Sequence, residues 1–165
     1  MFDDNWYRDE CRRVFAEHGE EMRRLNEWEY SELEWDFLGF FHEYASVDVP
    51  EDFTVIDLGS YMAIQADYFK HCAGYIGVDI AVPVEYRFRQ DNATQYQQSI
   101  QDFIRETLPT LGLDMNKVFA ICSYVPDKEA QYLVADTFQY HKVVYCDEII
   151  SERLPDDLYL EDDER

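Results

Sequence analysis

Apolar and polar positions along the chain alternate between short apolar runs and helical stripes, most regularly from residue 53 to residue 80. Residues 53–58 form an apolar run that ends in Gly59-Ser60. Ile64, Tyr68, Phe69 and Cys72 then share one helical face, and Gly74 stops it. Residues 75–78 form a second apolar run, ending in Asp79. The spacing predicts strand, glycine turn, helix, strand. A helical crossover between the two strands makes them parallel.

The same reading extends in both directions. Residues 4–25 carry a helical stripe of Tyr7, Cys11, Val14, Phe15, His18, Met22 and Leu25. A second helix starts at Ser31, where Ser31-Glu32-Leu33-Glu34 has the capping-box form, and its stripe is Leu33, Phe37, Phe40, Phe41 and Tyr44. These stripes, with Trp6, Trp28 and Trp35, need a surface to pack on, so residues 1–50 read as a helical extension lying on a core. Beyond Asp79, Val84, Tyr86 and Phe88 alternate with Glu85, Arg87 and Arg89, the period of a half-exposed edge strand closed by Asp91-Asn92. Tyr96, Ile100, Phe103, Ile104 and Leu108 make a helix that ends near Pro109 and Gly112. Residues 118–122 are continuously apolar, as in a central strand, and lead into Ser123-Tyr124. Asp127 then caps a helix through Ala130, Leu133, Val134 and Phe138. Residues 143–146 make a fifth strand, ending in Asp147-Glu148.

The expected fold is therefore α/β: a Rossmann-like domain over residues 51–150. Five parallel strands in the order 3-2-1-4-5 are flanked by helices. Residues 151–165 hold seven acidic side chains and two arginines and read as a loose acidic tail, leaving no material for a final hairpin.

Composition narrows the function. Of the 165 residues, 47% are hydrophobic and 16% aromatic, enough for a substantial core. The 36 acidic against 14 basic side chains give a net charge of −22. Such a surface repels nucleic-acid phosphates and anionic membranes, and favours a basic protein partner or simply solubility. Cys11, Cys72, Cys122 and Cys146 form no C-x-x-C pair and read as reduced core residues of a cytoplasmic protein. No signal pattern occupies the N-terminus, and no apolar stretch is long enough to span a bilayer. His18 and His42 read as structural, and no metal-ligand set is seen.

In the residues VIDLGS and YIGVDI the chain resembles the first two strands of class I S-adenosylmethionine (SAM) dependent methyltransferases. That family ends its first strand in a run like D-x-G-x-G-x-G. Here the run is Asp57-Leu58-Gly59-Ser60-Tyr61-Met62-Ala63, with Tyr61 and Ala63 at the second and third glycine positions. The resemblance covers about residues 53–150, with two helices added in front and the family's last hairpin missing. It implies SAM as cofactor. Asp57, Gly59, Ser60 and Tyr61 would form the first loop, Asp79 would hold the ribose, and Ile80 would flank the adenine. Asp91 or Asn92 would sit near the adenine amino group. Ser123 and Tyr124 stand where family members acting on amino groups often carry D/N/S-P-P-Y/F, so they are the candidates for acceptor contact.

The spacing agrees with this in part. Asp79 lies about 20 residues after the glycine turn, where an acid can accept from ribose hydroxyls. Open parallel sheets bind ligands at the carboxyl ends of their strands, and the candidate residues all fall at such ends. No G-x-S-x-G elbow and no G-K-[ST] phosphate loop occur. Three readings stay open: a SAM-dependent methyltransferase, an inactive relative acting as a binding or inhibitor protein through its acidic surface, and another nucleotide-binding protein of Rossmann-like form.

Overall fold

The computed structural model describes residues 47–145 and 148–155, with residues 3, 5, 6, 8–10, 12, 13, 16, 17 and 20 of the N-terminal region. The two N-terminal stripes, Trp28, Trp35, His18, His42, Cys146, Asp147 and residues 156–165 lie outside the described residues.

A six-stranded sheet forms the frame, in the order β3-β2-β1-β4-β5-β6. Its strands are β1 (Thr54–Leu58), β2 (Gly74–Val78), β3 (Ala93–Tyr96), β4 (Val118–Ser123), β5 (Tyr140–Tyr145) and β6 (Glu148–Arg153). The first five are parallel and follow the expected order. β6 runs antiparallel to β5, with a register shift between Val143 and Val144. This corrects the count of five and the absence of a terminal antiparallel strand. The sequence Glu148–Arg153 carries no apolar alternation because β6 is an edge strand, exposed along nearly all its length.

Each face of the sheet has its own core. On one, Ile56, Leu58, Val78, Ala120 and Cys122 meet two helices. The first, α1, runs as an α turn (Ile100–Asp102), a π turn (Phe103–Thr107) and a 3-10 turn (Leu108–Thr110). Pro109 explains the change of pitch: it brings no N–H, and its ring clashes with the carbonyl four residues back. Ser99 Oγ caps α1 by accepting from Asp102 N at 3.1 Å. The second helix, α2 (Lys128–Thr137), is capped by the Asp127 carboxylate, which accepts from Glu129 N and Ala130 N at 3.0 and 3.3 Å.

On the other face Val55, Tyr75, Phe119 and Ile121 pack with Phe69, Val47, Val49 and Phe53. Here the β1–β2 crossover is a 3-10 helix of six residues (Ile64–Phe69) rather than an α-helix. Nearby, the ring of Trp6 meets that of Phe88 edge-on, with centroids 5.8 Å apart.

The third strand is where sequence and structure part. Val84–Tyr86 is a 3-10 turn that starts after Pro83, and Arg87, not Val84, is buried. The strand itself is Ala93–Tyr96, whose Ala-Thr-Gln-Tyr is too polar to stand out at a sheet edge. Asp91 and Asn92 therefore precede β3 instead of closing it.

Candidate functional site

A cavity of about 590 Å³ opens at the carboxyl ends of β1, β2 and β4. Gly59 and Tyr61 line it after β1, Asp79, Ile80 and Ala81 after β2, and Ser123 through Asp127 after β4. Gln98, Ser99 and Gln101 close it from the loop after β3 and the start of α1, and Tyr145 from the end of β5.

The wall after β1 concentrates left-handed backbone, with three of the five positive-φ residues among the described residues. Gly59, Tyr61 and Ala63 all adopt left-handed conformations, with φ of 83°, 55° and 59°. These are the three positions that would be glycine in the D-x-G-x-G-x-G run. Two of the three carry side chains and still hold left-handed backbone. A left-handed L-residue is strained by roughly 1–2 kcal/mol, so surrounding contacts must hold it. They are visible: Gly59 N and Ser60 N both donate to Val78 O, at 2.8 and 3.0 Å. A Cβ at Gly59 would stand 2.6 Å from Val125 Cγ2, so this position admits no side chain without a shift across the cavity.

Asp79 joins this wall to the next. Its Oδ2 accepts from Tyr61 N at 2.9 Å, and its Oδ1 accepts from Ala81 N and Val82 N at 2.7 and 3.2 Å. A carboxylate offers about four lone-pair sites. Three are used to shape the loops, and capacity for one further donor remains on Oδ2. Ile80 beside it is 66% exposed, an apolar side chain placed at the rim.

Tyr61 borders the cavity without filling it, and its hydroxyl is buried. Asp57 does not reach the cavity. It is fully buried on the other sheet face, where it accepts from Gln65 Nε2 at 2.7 Å and from the Tyr75 hydroxyl. Gln65 Nε2 also donates to Ser60 O at 2.8 Å, so Asp57 supports the loop from behind. Ser60 is likewise buried and turned away from the cavity lining. Asp91 and Asn92 lie at the opposite end of the sheet. Asn92 Nδ2 donates to Phe69 O and Cys72 O, at 3.1 and 3.2 Å, tying the end of the crossover.

Opposite the loop 59–63, Tyr124 is a third left-handed residue with a side chain, with φ 58°. Its N–H donates to Val144 O at 2.8 Å. Ser123 is 2% exposed, and its Oγ has no hydrogen-bond partner among the described residues. Asp127 and Gln101 bridge α1 and α2 across the rim, with Gln101 Nε2 donating to Asp127 Oδ2 at 2.8 Å. That bond, with the backbone N–H of Ala130, holds the exposed Asp127 carboxyl below its ordinary range. Under the site, burial pushes the Cys122 thiol up to about 12.

Six of the ten candidate residues thus meet at one cavity: Gly59, Tyr61, Asp79, Ile80, Ser123 and Tyr124. Gln98, Ser99, Gln101 and Tyr145 were not anticipated. The Ser99 cap could have been found, since a serine three residues before Asp102 starts α1 at Ile100 and pushes the preceding strand back to 93–96.

No lysine, arginine or histidine lines the cavity among the described residues. No group of three or more His, Cys, Asp or Glu among them could hold a metal ion, and no described helix is long and apolar enough to cross a membrane.

No family model matches the chain, and no curated protein matches it. Among solved structures, a protein from Streptococcus mutans, a proposed methyltransferase in complex with SAH, is similar at a TM-score of 0.40 and 15% identity. The match covers 66% of this chain and 72% of that one.

Proposed function

We propose that the chain is a methyltransferase-type protein that binds SAM in the cavity at the carboxyl ends of β1, β2 and β4, and presents a methyl acceptor beside Ser123 and Tyr124. The observation that carries this reading is the backbone of residues 59–63. Gly59, Tyr61 and Ala63, the positions that correspond to the three glycines of D-x-G-x-G-x-G, all hold left-handed backbone, the conformation glycine adopts most easily, although tyrosine and alanine gain nothing locally from it.

The residues present fit the group. Asp79 keeps acceptor capacity for a ribose hydroxyl, and Ile80 offers an apolar flank for adenine. The volume falls within the roughly 300–1,000 Å³ of small-molecule sites. A dinucleotide fits less well. Its pyrophosphate needs a helix N-terminus or a cation, and here the loop leads into a six-residue 3-10 helix, with Asp79 and Asp127 on the walls. When bound, SAM supplies a methyl group that is already activated. The work left to the chain is to hold the acceptor in line and to exclude water. Ser123 and Tyr124 both border the space where an acceptor would lie, and Ser123 Oγ beneath it is buried without a hydrogen-bond partner among the described residues.

Titration calorimetry with SAM and with S-adenosylhomocysteine (SAH) tests this. Saturable binding that is weakened in Asp79→Asn supports it. Absence of binding at millimolar ligand would leave the second reading, an inactive relative that works as a binding or inhibitor protein. The net charge of −22 favours a basic protein as its partner.

A further inference from the structure

Arg87 lies outside the cavity and was expected on the solvent side of an edge strand, yet it is 3% exposed. A buried guanidinium is costly unless its donors are satisfied. All five are. Nε donates to Val82 O at 3.1 Å, and Nη2 to Val82 O and Asp79 O at 2.8 and 2.7 Å. Nη1 donates to Gly77 O and Gln95 Oε1 at 3.3 and 3.2 Å. Three of the acceptors are carbonyls of residues 77–82, the end of β2 and the loop that carries Asp79 and Ile80.

That loop is therefore gripped from two sides. The Asp79 carboxylate gathers the N–H groups of Tyr61, Ala81 and Val82, while Arg87 gathers the carbonyls of Gly77, Asp79 and Val82. Gln95 reaches Arg87 only because residue 77 is glycine: a Cβ there would stand 2.0 Å from Gln95 Oε1. Burial pulls the guanidinium pKa down, and the nearby charges of Asp79, Tyr75 and Asp57 oppose that.

We infer that Arg87 is a positioning residue for the cofactor: it fixes the loop 79–82 so that the Asp79 carboxylate faces a ribose hydroxyl at the cavity. The inference rests on the cofactor reading proposed above. Lysine cannot substitute, because three donors on a point charge do not span three carbonyls and an amide in one plane.

The test compares wild type, Arg87→Lys and Asp79→Asn for binding of SAH, adenosine and 2′,3′-dideoxyadenosine by calorimetry, with thermal unfolding as the control for folding. If Arg87 acts through Asp79, Arg87→Lys weakens SAH and adenosine about tenfold. It leaves 2′,3′-dideoxyadenosine within about twofold, because no ribose hydroxyl remains to be held. In the Asp79→Asn background the same change then has little further effect. An equal loss for adenosine and its dideoxy analogue would make Arg87 merely structural and overturn the inference. So would a folded Arg87→Lys that binds SAH like wild type. If Arg87→Lys does not fold, Gln95→Leu, which removes one partner of the clamp, is read against the same ligand pair and by the same criterion. Failure of wild type to bind either SAH or adenosine overturns the cofactor reading, and this inference with it.

Discussion

Between Gly59 and Ala63 three residues of five hold left-handed backbone, and the loop is tied to β2 by Gly59 N, Ser60 N and the Asp79 carboxylate. The facing wall, Gln98 to Gln101 with Ser123 to Asp127, contains one such residue, Tyr124, tied to β5 by its N–H, which donates to Val144 O. Its other ties are two helix caps and the side-chain bonds Gln101–Asp127, Gln131–Val125 O and Thr107–Gln98. The first wall is over-determined: strain is held in place by several independent hydrogen bonds, as expected where a fixed ligand geometry must be ready before binding. The second wall carries less left-handed backbone, and three of its ties run between long side chains and their partners, which can adjust. In the proposed reading the first wall holds an invariant cofactor and the second meets the acceptor.

Removing the hub of the first wall should have the largest effect. Asp79→Ala strands three backbone N–H groups, on Tyr61, Ala81 and Val82. Stability should fall by about 1–3 kcal/mol in urea unfolding, and SAH binding should weaken by a comparable amount. A variant that unfolds at the wild-type urea concentration would show that the wall does not depend on this carboxylate, and the contrast between the walls would collapse.

Placing glycine at residues 61 and 63 probes the same contrast with a smaller effect. Ala63 is fully buried at φ 59° and its methyl is the only group lost in Ala63→Gly. Relief of left-handed strain, roughly 1–2 kcal/mol, is offset by the added freedom of the unfolded chain and by the loss of one buried methyl, so stability should stay within about 1 kcal/mol of wild type. Tyr61→Gly relieves similar strain but forfeits the packing of a ring whose hydroxyl is buried, so it should gain less or lose. Urea unfolding of both variants checks the order. A loss of more than about 1 kcal/mol in Ala63→Gly would mean that residue 63 holds no left-handed strain for glycine to relieve.

The sequence was legible where burial imposes a pattern. β1, β2 and β4 are buried on both faces and appear as unbroken apolar runs, and Asp127 and Gly59 announce a cap and a turn by residue type. Edge strands escape this logic: Ala93–Tyr96 and Glu148–Arg153 bury too little to leave a signature. Residues 84–89 misled for a physical reason. Alternation marks a strand only when the apolar set is the buried one, and here Arg87 goes inward while Val84 is 41% exposed. The error moved Asp91 and Asn92 to the wrong end of β3, and with them one proposed contact to the cofactor. The Asp57 carboxylate was read as part of the site because the motif includes it, whereas strand parity turns it to the face opposite Leu58, into the Tyr75–Phe69 core.

The smallest expected effect belongs to the second wall and comes through pH. The Asp127 carboxyl titrates below its ordinary value of 3.8, because Gln101 donates to it and the N–H groups of Ala130 and Glu129 point at it. A carboxyl depressed in the folded state adds stability that is fully present above its unfolded pKa and is lost as pH falls through the folded one. The loss therefore starts near pH 4 and runs downward. Asparagine caps a helix about as well as aspartate and does not titrate. Asp127→Asn should accordingly match wild type less closely at pH 7, where the charged cap is intact, and converge on it as pH falls below 4. The residue is exposed, so salt should narrow the difference at neutral pH. Melting temperatures of both proteins from pH 2.5 to 7, at low and high salt, measure this. A gap that stays constant across that range would mean that the Asp127 charge contributes nothing to the wall, and that Gln101 and the helix N–H groups are satisfied equally well by a neutral oxygen.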